Sequence, residues 1–220
     1  MSRKTKKPAF PTSYQGKNAE EYDQSQWMER NQKRTTLLSI QYLYDQNLDK
    51  VHDTDFLMDL TYLVLDLGCG TGFSSEVLAE NGFRVIGVEI LKDMIYKAGH
   101  KKKSKENNLD IEYILSDINN LPLRVNTIDH IISISAYNFI THLTTSLKEK
   151  IILLSQTAKN LRNVLKTHGR IVLEFYPNDE KELNLFTSSF INNGFNGFMI
   201  KQHPNQKSGQ TFLLLKKQKK

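Results

Sequence analysis

The sequence predicts an α/β fold: a mostly parallel, seven-stranded sheet with helices on both faces and an antiparallel hairpin at its end. Three observations carry this. From residue 62 onward, short apolar runs alternate with stretches of helical period, the signature of strand–helix–strand units with parallel strands. A glycine-rich turn, Gly68-Cys69-Gly70-Thr71-Gly72, joins the first run to the first helix. The last two apolar runs, 197–201 and 211–216, are separated by a loop with Pro204, Asn205 and Gly209 instead of a helix, which makes them antiparallel neighbours.

The elements follow in order. Residues 1–17 read as a flexible basic arm containing Pro8 and Pro11. Residues 18–216 form a single domain, because 220 residues suit one α/β unit with a full core, and 217–220 are a basic tail. The stretch 18–47 is polar with helical spacing of Tyr22, Trp27, Leu37, Leu38, Ile40, Tyr42 and Leu43, and 45–59 reads as a loop or helix end. Strands are expected at 62–67, 84–88, 111–115, 130–135 and 170–175, and helices at 73–81, 92–98, 147–165 and 179–193. Gly82, Gly169 and Gly194 follow helices, where left-handed caps are expected.

The net charge is +6, yet twelve basic residues stand in three clusters: Arg3, Lys4, Lys6 and Lys7; Lys101, Lys102, Lys103 and Lys105; Lys216, Lys217, Lys219 and Lys220. The remainder is mildly acidic. Such a distribution suits a polyanion partner such as RNA, or equally solvated ends. Cys69 is the only cysteine, so no intrachain disulfide forms, and a reducing compartment is expected: cytoplasmic, with the nucleus added in a eukaryote. No basic base partner for Cys69 is identifiable, so it reads as a small residue fitted between glycines. No apolar signal segment and no run of about 18 apolar residues is present, so no membrane association is expected. The histidines show no ligand spacing, so no metal is expected.

The glycine turn carries the chemistry. Without Cβ atoms, Gly68, Gly70 and Gly72 let a ligand approach the backbone at the start of a helix, whose first N–H groups are free. A P-loop needs Gly-Lys-Ser/Thr, but Phe73 follows Gly72. A dinucleotide fingerprint reads G-x-G-x-x-G, whereas this is G-x-G-x-G with Asp66 just upstream. A carboxylate there repels a pyrophosphate and suits an ammonium or sulfonium ligand. Glu89 ends the second strand, placed to accept hydrogen bonds from two ribose hydroxyls. Asp117 ends the third, placed to accept from an adenine amino group, with Ile118 against the ring. Three acids at successive strand ends face one crevice.

"LDLGCGTG", "GVEI", "SDINNLP" and "IDHIISISA" resemble the successive motifs of class I S-adenosylmethionine-dependent methyltransferases, over about three quarters of the chain. The resemblance implies a Rossmann-like sheet, S-adenosyl-L-methionine as cofactor, and a cofactor set of Tyr22, Asp66, Leu67, Gly68, Cys69, Gly70, Gly72, Glu89, Ile90, Asp117, Ile118 and Ser133. After the fourth strand comes Ser133-Ile134-Ser135-Ala136-Tyr137-Asn138-Phe139, without the proline pair of many amino-group methyltransferases, without a Pro-Cys nucleophile, and without a dedicated general base. An acceptor that already has a lone pair fits, and guanine N7 is one.

"ISISAYNF", "VLEFYPNDEKEL" and "NNGFNGFMIKQHPNQKSGQTFLLL" resemble the small-subunit (18S-type) rRNA guanine-N7 methyltransferase family, as does the leader "SYQGKNAEEYDQSQ". That likeness implies methylation of small-subunit rRNA during ribosome biogenesis, a leader that closes the cofactor site, and an acceptor surrounded by Ser135, Ala136, Tyr137, Tyr176 and Pro177. Trp27 departs from the family, which tends to arginine there, and the lysine run after Leu215 is shorter than the family's basic extension. Tyr176 is expected at the open end of its strand because Pro177 follows, and Phe139 in the core. The family acts with a small zinc-binding activator; the third strand, 111–115, lies at a sheet edge and is expected to pair with it. Other readings are a tRNA wobble-uridine methyltransferase, a small-molecule methyltransferase, and a ribosome-assembly factor whose binding outweighs its chemistry.

Overall fold

The structure, a computed structural model, describes residues 9–48, 62–104, 108–202 and 210–218. The basic residues 3–7, Lys105, Lys219, Lys220, most of the expected 45–59 loop and the hairpin loop with Pro204, Asn205 and Gly209 lie outside the described residues.

The described elements are α1 (Lys17–Asp23), α2 (Gln26–Leu43), β1 (Leu63–Leu67), α3 (Phe73–Glu80), β2 (Arg84–Glu89), α4 (Lys92–Ser104), β3 (Ile111–Leu115), β4 (Ile128–Ile134), α5 (Leu147–Val164), β5 (Leu165–Glu174), α6 (Glu180–Ile191), β6 (Phe195–Lys201) and β7 (Thr211–Lys217). The seven strands run in the order β3-β2-β1-β4-β5-β7-β6. β1 to β5 are mutually parallel, and β7 is antiparallel to both β5 and β6. The order reverses between β1 and β4, and in open α/β sheets that switch point opens the ligand crevice.

Alternation along the strands builds two apolar layers. Leu65, Ile131, Ile171 and Leu213 face α5 and α6, where they meet Leu154, Leu161, Phe186 and Phe190. Val64, Ile132, Val172 and Leu214 face the opposite layer with Leu43 and Leu78. Central strands covered on both faces read as unbroken apolar runs, and every residue of β4 is buried. α5 starts with a capping box between Ser146 and Glu149, and Asp179 caps α6 by accepting from the Glu182 N–H.

Arg170 and His130 are among the polar groups buried in this frame. Arg170, 1% exposed, donates to the Leu43 carbonyl at 2.6 Å and so ties the end of α2 to the sheet. His130 is fully buried with its ring edge-on to Tyr62, and burial pushes its pKa down to about 3, so it is neutral.

Gly82 and Gly194 have the expected left-handed conformations, φ 88° and 82°. Gly169 does not cap a helix: α5 passes directly into β5, and Gly169 lies within that strand. A Cβ there would stand 2.7 Å from the Asp129 carbonyl oxygen, so this glycine serves close strand packing at an irregularity of the β4–β5 register. α4 runs on through Lys101–Lys103 to Ser104, because lysines favour helix but give no apolar period, and positive charge suits a helix C-terminus.

Candidate active site

β1 delivers the chain into the glycine turn. The Gly68 and Cys69 N–H groups both donate to the Val88 carbonyl, at 2.8 and 3.0 Å, which presses the turn onto the end of β2. Gly68, Gly70 and Gly72 all lie in the left-handed region, φ 73°, 56° and 88°. Space is as restrictive as φ at two of them. A Cβ on Gly68 would stand 2.2 Å from the Ala136 Cβ, and one on Gly72 2.5 Å from the Tyr113 hydroxyl oxygen. The turn is therefore seated against the segment after β4, and a cavity of about 590 Å³ opens over it.

The three acids occupy different depths. Glu89 and Asp117 line the cavity, with Ile90 and Ile118 beside them. Glu89 Oε2 accepts from the Gly70 N–H at 3.0 Å, and Oε1 accepts from the N–H groups of Ile90 and Leu91 at 2.9 and 2.8 Å. Burial raises its pKa and these three donors oppose the rise. Asp117 Oδ1 accepts from the Asn119 N–H at 2.9 Å, a local turn that fixes the carboxylate at the end of β3. Asp66 does not line the cavity. It is fully buried beneath the turn, where Ser74 and Ser75 both donate to Oδ2 at 2.6 Å, and Oδ1 has no protein partner. Burial pushes its pKa up to about 6. Asp66 thus pins the start of α3 to β1.

Of the other residues expected at the cofactor, Tyr22, Gly68 and Gly70 line the cavity, whereas Leu67, Cys69, Gly72 and Ser133 lie behind it. Ser133 Oγ donates to the Leu67 carbonyl at 2.8 Å, locking β4 to the end of β1. Cys69 is buried, and burial raises its thiol pKa well above the ordinary value, so it is no ready nucleophile.

The acceptor turn after β4 corrects the sequence reading at two aromatics. Tyr137 does not reach the cavity: it is 0% exposed, packed against Phe186 and Phe190 in the core. Phe139, expected in the core, lines the cavity and stacks on Phe10 with centroids 4.9 Å apart. The turn is a 3₁₀ segment, in which positions two apart face different ways, and Ser135 enters it at φ 55°. Ser135, Ala136 and Tyr176 line the cavity; Pro177 does not, and β5 ends at Glu174, two residues before Tyr176.

Two residues that sequence reasoning missed hold this part together. Asn138 and the Tyr176 backbone exchange hydrogen bonds, Nδ2 to the carbonyl and N–H to Oδ1, both 2.9 Å. Glu174, fully buried, accepts from Ser135 Oγ at 2.6 Å, from the Tyr176 hydroxyl at 2.5 Å and from Gln210 Nε2 at 2.7 Å. The lone acid in the apolar strand "IVLEF" was the available signal.

The leader forms the roof. Residues 9–16, expected in a flexible arm, fold over the cavity: Phe10 meets Phe139 and His142, Tyr14 meets Tyr22 and Phe139, and the Gly16 N–H donates to Asp93 at 2.6 Å. Glu20 pairs with Lys97, and Asp23 with Lys101 at 2.8 Å. Aromatic side chains give the leader an apolar underside that composition alone hides. Lys101 and Lys102 are consequently not free for a polyanion: Lys102 donates to the Ile111 carbonyl and to Glu112. Trp27, 66% exposed, stands at the cavity's mouth. Among the described residues no group of three or more His, Cys, Asp or Glu is placed to hold a metal ion, and no helix is long and apolar enough to cross a membrane.

Residues 65–173 match the methyltransferase domain family. The 18S rRNA (guanine-N(7))-methyltransferase of Bos taurus is 32% identical over 152 residues, 69% of this chain and 52% of the relative. The chain spans about half the length of the curated relatives it matches. Among solved structures, PH0226 from Pyrococcus horikoshii OT3 aligns with a TM-score of 0.64 at 22% identity, covering 90% of this chain and 99% of that one. A chain from the complex between the Haloferax volcanii Trm112 methyltransferase activator and a methyltransferase aligns at 0.60 and 12% identity, covering 88% and 95%. The structural likenesses establish the class I methyltransferase fold.

Proposed function

We propose that this chain, which has a methyltransferase domain in a class I fold, uses S-adenosylmethionine to methylate guanine N7 in small-subunit ribosomal RNA. One observation carries the reading: the glycine turn, Glu89 and Asp117–Ile118 line the same cavity as Ser135, Ala136 and Tyr176, while His142 and Glu182, which also line it, are engaged with the Phe139 carbonyl and with Asn178. The left-handed glycines let a nucleoside approach the backbone, Glu89 is set for a ribose hydroxyl, and Asp117 and Ile118 for a purine amino group and ring face. Asp66, Leu67, Cys69, Gly72 and Ser133 shape that cradle from behind. Tyr22, Tyr14 and Phe10 close it and exclude water.

When bound, the cofactor supplies an electrophilic methyl on a sulfonium: the S–C bond breaks as the N7–C bond forms, and the positive charge passes to the base. No proton leaves the nucleophile, so the chain's task is orientation. Ser135, Ala136 and Tyr176 flank the acceptor in this reading, and Phe139 replaces Tyr137 as the aromatic wall.

The same reading includes a small zinc-binding activator that adds a strand to Ile111–Leu115. β3 is the terminal strand of the sheet and Leu115 is 55% exposed, which suits such an addition. Lys102 already occupies the Ile111 carbonyl, so pairing begins beyond it or displaces that lysine. Phosphate contacts fall to Lys103 and to the basic clusters outside the described residues. A ribosome-biogenesis role in the cytoplasm, or in the nucleus of a eukaryotic cell, goes with this assignment.

The test is incubation of the chain, with and without a candidate activator, with methyl-labelled cofactor and total RNA, followed by mapping. Label on a guanine N7 of small-subunit rRNA is expected. Label on tRNA, or on protein or small molecules only, would replace the acceptor while leaving the fold.

A further inference from the structure

Glu174 does not line the cavity, and two residues that do, Ser135 and Tyr176, donate their hydroxyl protons to it. Its carboxylate has only lone pairs to offer, so every hydrogen bond it makes must be donated to it. Ser135 Oγ donates to one oxygen at 2.6 Å, and the Tyr176 hydroxyl to the other at 2.5 Å. Gln210 divides its amide protons between Glu174 and Thr35 Oγ1, both at 2.7 Å, so it too is fixed in orientation. A hydroxyl has one proton. With theirs committed to Glu174, the Ser135 and Tyr176 hydroxyls have lone pairs and no proton to offer a ligand in the cavity that both residues line. Asn138 holds the Tyr176 backbone through two bonds, and the bonds to Glu174 hold the two hydroxyls themselves.

Resting on the guanine reading above and adding to it the means of recognition, we infer that Ser135 and Tyr176, polarised by Glu174, form an all-acceptor reader for the Watson–Crick edge of guanine. Guanine is the base whose edge carries two adjacent donor groups, N1–H and the N2 amine. Adenine and cytosine place one donor beside an acceptor, and uracil has one N–H between two carbonyls. The edge so held is on the far side of the purine from N7, which leaves N7 open to the methyl donor. Glu174 is a positioning residue: it does not touch the base, and it acts by fixing which way two hydroxyl protons point.

The test uses the full chain saturated with S-adenosylhomocysteine and three probes, GMP, IMP and AMP, titrated by calorimetry. IMP keeps N1–H and loses the amine; AMP offers an acceptor at N1. GMP is expected to bind roughly tenfold more tightly than IMP, the effect of one lost hydrogen bond, and AMP more weakly still. Glu174→Gln introduces an N–H that one hydroxyl must accept, freeing that hydroxyl's proton for a ligand in the cavity. Its expected result is a GMP-to-AMP preference reduced to within about threefold at unchanged affinity for S-adenosylhomocysteine, a ratio that a merely structural residue would not move. Tyr176→Phe, which removes one acceptor while leaving Glu174 with Ser135 and Gln210, is expected to lower the GMP-to-IMP ratio in the same way. Equal binding of the three nucleotides by the unmodified chain, no binding of any, or ratios unchanged in both variants would overturn the inference. Label mapping is independent: methyl on guanine N7 with no GMP preference sinks the reader alone, whereas GMP preference with label elsewhere sinks the N7 assignment.

Discussion

Glu89→Ala is expected to weaken S-adenosylmethionine binding by about 10- to 100-fold, the equivalent of one hydrogen bond to a charged group. The effect is large because Glu89 acts in two directions. Its oxygens already collect the N–H groups of Gly70, Ile90 and Leu91, which fixes the shape of the glycine turn and the start of the segment after β2. One acceptor site, on Oε2, is left for a ribose hydroxyl in the cavity that Glu89 lines. Alanine removes the ribose contact and leaves three N–H groups without their acceptor, so melting temperature should fall as well, by an amount corresponding to about 1–3 kcal/mol. Calorimetric titration and thermal melts read the two effects separately. Affinity preserved within about threefold would remove Glu89 from the cofactor site. Glu89→Gln, which keeps one acceptor oxygen, should fall between the two.

Gly68→Ala is expected to destabilise the fold by about 2–5 kcal/mol and to disable the site, through two distinct costs. A side chain at φ 73° is strained by about 1–2 kcal/mol, and the new Cβ would stand 2.2 Å from that of Ala136, an overlap that must push the β1 turn and the acceptor turn apart. The double variant Gly68→Ala, Ala136→Gly removes the overlap and keeps the strain. It should recover the steric part in chemical denaturation while remaining below the unmodified chain. No recovery would show that the two turns are not in contact. Recovery of stability without recovery of cofactor binding would show that the left-handed backbone itself, and not only the spacing, is what the ligand needs.

The glycine turn and the acids at strand ends were legible because their constraint is local. A bare backbone between a buried strand and a helix has few other uses, and strand ends at a switch point converge whatever the details of packing. The depth of each acid was not legible: Asp66 and Glu89 look alike in sequence, and only the serines at the start of α3 decide that Asp66 turns inward. Tyr137 and Phe139 were exchanged for a similar reason. A short 3₁₀ turn has no periodic signal, and its rotation is set by where Phe186 and Phe190 leave room on α6. Residues 9–16 were read as part of a flexible arm from basic composition and prolines, and only the resemblance of the leader from Ser13 onward implied a closing role; Phe10 and Tyr14 find an aromatic partner in Phe139 that lies more than a hundred residues away in sequence. Gly169 carried the signature of a helix cap but answers to the Asp129 carbonyl on the neighbouring strand. In each case the missing information was tertiary.

The central claim, that the cavity over the glycine turn holds S-adenosylmethionine, is tested most directly by titrating the purified chain with S-adenosylhomocysteine. Trp27 is the only tryptophan and stands at the cavity's mouth, so its fluorescence reports occupancy alongside the heat of binding. Saturable one-to-one binding seen by both signals, weakened in Glu89→Ala, is the predicted result. No heat and no change in Trp27 emission at millimolar ligand, with or without an activator present, would contradict it.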